Sequence, residues 1–213
     1  MKSLSFFICG RLRYRYHSPP RLTIVPLLIH PHDFILIVSG TNRPGSSTLR
    51  IARRVEQHYR DAQIRAELLN LEDLPPEVFS PQAYATKPPA FQLIQERVFD
   101  SAGMHIVLPE YNGSFPGVLK YFIDLLKFPE SFEHKPTAFT GVTSGAWGAL
   151  RAVEQLQMVF GYRNAHIFPE RVFISGVTQK FPPDAPPADQ SLDDRLARQA
   201  RNFAQFCGLF KKK

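Results

Sequence analysis

Residues 104–127 read MHIVLPEYNGSFPGVLKYFIDLLK, and this stretch decides the fold. Residues 104–108 form the mostly apolar run of a strand that is buried on both faces, and residues 118–127 have the pattern of a helix. Between them lies a polar turn, Pro109–Gly117, which combines an aromatic residue with prolines, glycines and hydrogen-bonding Asn and Ser side chains. Open α/β sheets bind ligands in such turns, at the carboxyl ends of their strands, and this composition suits a flat heteroaromatic ring.

Strands and helices alternate in the same way along the rest of the chain. The strands are predicted at 34–38, 64–71, 104–108, 137–142 and 165–174, the last of them bent by Pro169. The helices are predicted at 49–59, 91–99, 118–127, 149–160 and 192–206. This alternation predicts a five-stranded parallel sheet with helices on both faces.

The turn after the first strand favours one arrangement of that sheet. A classical dinucleotide-binding domain would need Gly-x-Gly-x-x-Gly there, and only Gly40 and Gly45 are present. The length of the chain and the composition of the turn instead favour a flavodoxin-like three-layer α/β/α fold with strand order 2-1-3-4-5.

That turn, Ser39–Thr48, contains several hydroxyl side chains and one arginine, Arg43. The N–H groups at a helix start attract anions, and hydroxyl groups with a guanidinium complete a site for a phosphate. Capping of the helix by Ser46, Ser47 or Thr48 needs only one hydroxyl, so the sequence favours a phosphate site. No Gly-Lys-Ser/Thr follows, which argues for a monophosphate held without a catalytic lysine or a magnesium ion.

A third turn, Thr143–Gly148, lies between the fourth predicted strand and the helix that follows it. Its glycines would let a ligand approach the backbone closely. Trp147 is either a residue that contacts a ring of the ligand or a packing or interface anchor, and both interpretations stay open. Together the three turns predict one cleft at the carboxyl edge of the sheet.

The motifs in these turns resemble those of the NAD(P)H-dependent FMN reductase family, which includes quinone, chromate and azo-dye reductases. Residues 40–48, GTNRPGSST, are similar to its phosphate loop Gly-Ser-x-Arg-x-x-Ser-x-Asn/Thr. Residues 109–120, PEYNGSFPGVLK, with Ile123-Asp124 after them, resemble its Pro-Glu-Tyr-Asn signature. The resemblance covers about residues 34–180. It departs from the family at Tyr121-Phe122, where Asn-Ala is usual.

The resemblance implies FMN as the cofactor and NAD(P)H as the co-substrate. The phosphate would be held by side chains of the first turn, namely Thr41, Arg43, Ser46, Ser47 and Thr48. The flavin ring would be bound by residues of the other two turns, namely Pro109, Glu110, Tyr111, Asn112, Gly113, Ser144, Gly145 and Trp147. No catalytic side chain and no metal are implied, because the chemistry belongs to the cofactor. The side chain of Glu110 is expected to serve an ion pair or a dimer contact.

The function implied by the resemblance is an oxidoreductase. It would pass a hydride from NAD(P)H through FMN to a small electron acceptor in a ping-pong cycle; the acceptor would be free flavin, a quinone, an azo compound or a metal oxyanion. A flavin-binding electron carrier or sensor with little turnover is the alternative, and a nucleotide-binding interaction module is a third hypothesis. A carrier would need an acidic docking surface, which a near-neutral body does not support.

The formal net charge of +7 comes from the two ends of the chain. Residues 1–32 carry five basic residues and no acidic residue, and residues 211–213 are all lysine. Residues 33–210 have a net charge of −1, so no nucleic-acid partner is expected. We expect residues 1–32 to form an arm-like or disordered extension, residues 33–210 the FMN-binding domain and residues 211–213 a basic tail.

Compartment and assembly follow from weaker signals. No apolar run reaches the roughly 18 residues of a membrane-spanning helix, so no membrane partner is expected. Cys9 and Cys207 have no metal-binding spacing, and we expect two unpaired thiols in the reducing cytoplasm rather than a disulfide.

The resemblance implies a homodimer or homotetramer. Its apolar contact surface would be Tyr121, Phe122, Leu125 and Phe128, with ordinary core packing of these residues as the alternative.

Residues 74–89 contain five prolines and are predicted to form a long loop near the carboxyl end of the second strand. Long loops inside compact domains usually have a function. We expect this loop to cover the second substrate.

Overall fold

A parallel β-sheet forms the centre of the computed structural model, which describes residues 33–210. Strands β1, β3 and β4 are buried along their whole length because helices cover both faces, which explains their nearly continuous apolar runs. The predictions for residues 1–32 and for residues 211–213 lie outside the described residues. The strands are β1 Ile35–Ser39, β2 Ala66–Asn70, β3 Gly103–Pro109, β4 Pro136–Val142, β5 His166–Ile167 and β6 Val172–Ile174.

The strand order confirms the flavodoxin-like α/β/α fold. The order is β2-β1-β3-β4, and both β5 and β6 pair in parallel with β4. The fifth position differs from the prediction, because two short strands replace the single strand expected at 165–174, so the sheet has six strands rather than five. Residues 168–171 separate them, and Pro169 in this stretch has no N–H with which to continue the ladder.

The helices form two layers. Helices α2, α3 and α4 pack on one face of the sheet, and α1 and α6 pack on the other. The short helix α5 was not predicted, and the bounds of the other helices differ from the prediction by one or two residues. The helices are α1 Ser47–Asp61, α2 Pro89–Asp100, α3 Gly117–Leu125, α4 Leu150–Tyr162, α5 Val177–Lys180 and α6 Gln190–Gly208.

The segment between β2 and α2 is an ordered connection with three short 3₁₀ turns, Leu71–Asp73, Pro76–Phe79 and Pro81–Tyr84. Two of these turns begin at a proline, whose fixed φ suits the first helical position. Val78 and Ala83 are buried in the core between the sheet and α2, α3 and α4. The loop predicted at 74–89 is therefore anchored to the body of the protein.

Helix α3 corrects the predicted contact surface. Phe122 and Leu125 are buried in the core of the same chain, so they offer no surface to a second copy. Tyr121 is partly buried and packs against that core. Only Phe128 of the predicted set is largely exposed. The alternative of core packing holds for Phe122 and Leu125 because this nine-residue helix lies close to the sheet.

An ion-pair cluster joins α1 to α6. The sequence predicts that Arg54 faces solvent; instead its Nε and Nη2 donate to the two carboxylate oxygens of Asp193 at 2.7 and 2.5 Å. His58 Nε2 lies 2.9 Å from Asp193 Oδ1. Burial alone would raise the pKa of Asp193, but the hydrogen bonds from Arg54 and His58 hold it below its ordinary value. The carboxylate therefore stays charged in the helix interface.

A chain of polar side chains crosses the sheet beside α1 and α6. Tyr59 Oη lies 2.9 Å from His105 Nδ1, and His105 Nε2 lies 2.9 Å from Thr140 Oγ1, which donates to Gln199 Oε1 at 2.7 Å. Burial lowers the pKa of His105 to about 3, so the imidazole is neutral. Both ring nitrogens of His105, in the middle of β3, thus have hydrogen-bond partners, and its role is structural.

Within residues 33–210, no helix combines the length and hydropathy needed to cross a bilayer. The same residues contain no group of three or more His, Cys, Asp or Glu side chains that could hold a metal ion. Cys207 is an unpaired thiol beside Gly103, and burial raises its pKa. Cys9 lies outside the described range.

Candidate active site

A cleft of about 370 Å³ opens at the carboxyl ends of β1, β3 and β4. Its volume lies in the range of small-molecule sites. The three turns singled out in the sequence meet there, because parallel strands bring their carboxyl ends to one edge of the sheet. The walls of the cleft are formed by Arg43, Pro44, Gly45, Ser46, Ser47, Thr48, Pro109, Tyr111, Val142, Thr143, Ser144 and Val177.

The first turn forms one end of the cleft and leads into α1. Ser46 is the N-cap of this helix, and its Oγ accepts a hydrogen bond from Leu49 N at 3.1 Å. The first turn of the helix contains no acidic residue, and Arg43 has no acidic partner among the residues that the structure describes. A helix start and an unpaired guanidinium together attract an anion.

Two residues at the base of this turn add to the fit for a phosphate. Ser39 is fully buried where β1 ends, and its Oγ has no hydrogen-bond partner in the structure. A Cβ added at Gly40 would lie 3.0 Å from Leu119 Cδ2 and 3.1 Å from Val107 O, so the turn packs tightly on β3 and α3. A buried hydroxyl without a partner, a free guanidinium and a helix start suit a phosphate monoester.

The second turn is a preformed hairpin. Tyr111 N donates to Ser114 O at 2.8 Å, and Ser114 N donates to Tyr111 O at 3.1 Å. Asn112 and Gly113 lie between them with φ of 53° and 78°. Positive φ at both central residues is the geometry of a type I′ turn, which Asn-Gly adopts readily. The position of the Tyr111 ring at the cleft is therefore set by the backbone.

Helix α4 clamps this hairpin through Gln155. Ser114 Oγ donates to Gln155 Oε1 at 2.6 Å, and Gln155 Nε2 donates to Gly113 O at 3.0 Å. Sequence analysis did not identify Gln155. It carries no local signal, since its partners lie more than 40 residues earlier in the chain.

A hydrogen bond joins the first two turns. Thr41 Oγ1 lies 2.9 Å from Tyr111 Oη and also accepts from Arg43 N at 3.3 Å. Thr41 is fully buried and lies behind the cleft wall. Its hydroxyl therefore connects the end of the cleft at the start of α1 to the end that carries Tyr111.

The third turn is held by the end of the sheet. Thr143 N donates to Ile174 O at 2.9 Å, and Val177 N donates to Thr143 O at 3.1 Å. Thr143 and Val177 line the cleft, and neither was predicted as a site residue. The signal for Val177 was its place after the last strand, since that strand ends at the same edge of the sheet.

Of the predicted site residues, the structure places Arg43, Ser46, Ser47, Thr48, Pro109, Tyr111 and Ser144 in the walls of the cleft. Those that lie outside the walls are Thr41, Glu110, Asn112, Gly113, Gly145 and Trp147. The side chain of Trp147 is 68% exposed, and the guanidinium of Arg151 lies 5.8 Å from its ring centroid. Arg151 also lies 3.5 Å from Glu110 Oε1.

Comparison with characterised proteins gives consistent matches. The chain is 27% identical over 176 residues to the quinone reductase of Escherichia coli K12, covering 81% of this chain and 94% of the relative. It is 26% identical over 147 residues to the NADH:(hydroxy)cinnamate reductase subunit CrdA of Vibrio ruber, covering 68% and 71%. Among solved structures, FerB, a flavoenzyme NAD(P)H:(acceptor) oxidoreductase of Paracoccus denitrificans, has the same fold. Its TM-score is 0.71 at 21% identity, over 84% of this chain and 98% of that one.

The family assignment rests on the part of the chain that builds the cleft. The model of the NADPH-dependent FMN reductase family matches residues 34–179, which include all three turns and every strand of the described sheet. The chain therefore belongs to the NADPH-dependent FMN reductase family and is an oxidoreductase with FMN as its cofactor and NAD(P)H as its co-substrate.

Proposed function

We propose that this protein passes reducing equivalents from NAD(P)H to a small acceptor in a ping-pong cycle, with a quinone as the acceptor to test first. The observation that carries the proposal is a single cleft that joins an anion-binding helix start to a preformed turn bearing Tyr111. The quinone reductase of Escherichia coli supports a quinone as acceptor.

The residues of the cleft would divide the work of holding FMN. Arg43 and the hydroxyl groups of 46–48 would bind the phosphate, while Pro109, Tyr111 and Ser144 would line the ring. Thr41, Asn112 and Gly113 would shape the turns from behind the wall. When bound, FMN would supply the redox chemistry by accepting a hydride from NAD(P)H and delivering two electrons to the acceptor with two protons.

The protein's own contribution would be binding and orientation. The backbone N–H of Ser144 would face the pyrimidine edge of the ring, where negative charge collects on reduction, since those of Thr143 and Gly145 donate within the protein. Glu110 would keep its place beside Arg151 and away from the reacting atoms. NAD(P)H and acceptor would enter the same cleft in turn, which is the structural basis for two separate half-reactions.

The test is a flavin titration followed by steady-state kinetics. We expect purified protein to bind FMN and to oxidise NADH or NADPH with 1,4-benzoquinone, giving parallel lines in double-reciprocal plots of the two substrates. Failure to bind FMN would contradict the site, and intersecting lines would contradict the ping-pong cycle. Flavin binding without turnover would favour the electron carrier or sensor.

We also infer a homodimer through α4. Met158 and Tyr162 are exposed four residues apart, on the outer side of this helix, and Tyr162 is 82% exposed. Trp147 is exposed in the turn that precedes the helix. Phe128 lies nearby, since the guanidinium of Arg163 is 4.4 Å from its ring centroid and 5.6 Å from that of Tyr162. Large exposed apolar residues grouped in this way mark an interface.

Glu110 lies beside this surface, where its Oε1 is 3.5 Å from Arg151 Nη1 of α4. Its other carboxylate oxygen is buried within the chain. A cytoplasmic location remains a prediction from the sequence.

A further inference from the structure

Tyr121 contacts two of the 3₁₀ turns that follow β2. Its Oη donates to Val78 O at 2.8 Å, its ring centroid lies 5.3 Å from that of Phe79, and it lies 5.9 Å from that of Tyr84. Phe79 and Tyr84 are each about half exposed. One side chain of α3 thus contacts Val78, Phe79 and Tyr84 within residues 74–89.

The place of Tyr121 links this segment to the cleft. Helix α3 begins at Gly117, directly after the turn that carries Tyr111, and Tyr121 lies one helical turn further on. Residues 74–89 follow the carboxyl end of β2, at the edge of the sheet where the cleft opens. Desolvation raises the pKa of Tyr121, so its hydroxyl stays protonated and can donate to the loop.

The contact depends on both the ring and the hydroxyl of Tyr121. The ring lies against Phe79 and Tyr84, and the hydroxyl donates to Val78 O. Val78 and Ala83 fix the inner side of the segment in the core, while Tyr121 fixes the outer side. The position of the exposed aromatic residues therefore depends on Tyr121.

We propose that Tyr121 is a positioning residue that fixes residues 74–89 beside the cleft and thereby sets the affinity for the electron acceptor. The inference rests on the proposed function, because it assigns this segment to the acceptor step. Tyr121 itself does not line the cleft. Its loss should change acceptor binding without changing FMN binding.

The experiment compares Tyr121→Ala and Tyr121→Phe with Leu209→Ala as the control, because Leu209 is exposed and lies outside the cleft and the proposed interface. All variants are tested as FMN-loaded full-length protein. With saturating NADH and varied 1,4-benzoquinone, we expect KM for the quinone to rise about tenfold in Tyr121→Ala, since a hydrogen bond and two aromatic contacts are lost. Tyr121→Phe should raise it about threefold, since only the hydrogen bond is lost. The dissociation constant of FMN should not change.

Limited proteolysis supplies an independent readout. Chymotrypsin cleaves after aromatic residues, and cleavage after Phe79 and Tyr84 should be faster in both Tyr121 variants than in the wild type or in Leu209→Ala. Faster cleavage with an unchanged quinone KM would overturn the inference, as would unchanged cleavage. A wild-type protein that binds no FMN or has no turnover would instead overturn the proposed function. If Tyr121→Ala does not fold, Tyr121→Phe decides.

Discussion

Arg43 is the residue on which the anion-binding end of the cleft depends most. It lies in the cleft wall, beside the start of α1, and has no acidic partner among residues 33–210. A guanidinium without a protein partner forms a charge-assisted hydrogen bond with a phosphate at little cost. The sequence predicts a phosphate-binding role for Arg43 because an arginine among hydroxyl residues at a helix start has few structural uses.

Replacement of Arg43 by Ala should weaken FMN binding by about 1–3 kcal/mol, the range for a lost charge-assisted hydrogen bond. The measurement is a titration of apoprotein with FMN, followed by flavin fluorescence. Arg53→Ala is the matched control, because Arg53 is exposed on the same helix and does not line the cleft. Equal affinity in wild type and Arg43→Ala would refute the phosphate assignment.

Other residues show why single positions are hard to place from sequence. Trp147 lies in a turn that meets the cleft, yet its side chain faces solvent. The chain reverses direction there through Gly148 and Ala149, which have φ values of 60° and 65°. No local sequence pattern predicts a positive φ for the alanine. Arg54 follows a helical pattern that points outward, but its partner Asp193 lies 139 residues away. Orientation at such positions depends on contacts that periodicity does not encode.

At the scale of elements, the packing of α1 on α6 depends on one buried carboxylate. The side chain of Asp193 is 2% exposed and is satisfied by Arg54 and His58 of α1. Because its pKa is lowered in the folded protein, the pair stabilises the fold above the ordinary Asp pKa of 3.8. That stabilisation is lost as the pH falls through the folded-state pKa.

Asp193→Ala should lower the free energy of unfolding at pH 7 by about 3 kcal/mol, since it leaves a partly buried guanidinium and a buried imidazole without their acceptor. Urea denaturation followed by circular dichroism measures the change. The neighbouring Asp194 is exposed, and Asp194→Ala should change stability by less than about 0.5 kcal/mol. A similar loss in both variants would contradict a special role for the cluster.

The elements themselves were largely predictable, with instructive exceptions. Strands β1, β3 and β4 have nearly continuous apolar runs because both their faces are covered, and the helices between them have clear amphipathic spacing. The split into β5 and β6 was missed because Pro169 indicates a bend equally well. The 3₁₀ turns after β2 were missed because they are too short to show a period.

At the scale of the whole molecule, the predicted cleft followed from topology more than from any motif. Once the strands are parallel and β1 lies between β2 and β3, the turns after β1, β3 and β4 must meet at one edge. The predicted interface on α3 was wrong in part because the topology does not show which side chains of a helix are buried within the chain. Phe122 and Leu125 of α3 are covered within the chain, whereas Met158 and Tyr162 of α4 are exposed.

Met158→Glu should convert the proposed dimer to monomer in sedimentation or light-scattering measurements. A buried, unpaired carboxylate would cost at least about 2 kcal/mol, which raises the dissociation constant about thirtyfold or more. Leu209→Glu is the control, because Leu209 is equally exposed at the far end of α6. A monomeric wild type, or a variant that remains dimeric, would contradict the interface on α4.

The hydrogen bond between Thr41 and Tyr111 makes the two ends of the cleft parts of one thermodynamic system. A ligand that orders one end lowers the entropic cost of ordering the other, and linkage requires the effect to be equal in both directions. Phosphate and an unphosphorylated flavin would then assist each other's binding, although they share no bond. A substitution that changes binding at the Tyr111 end of the cleft would, for the same reason, also change the affinity for the phosphate.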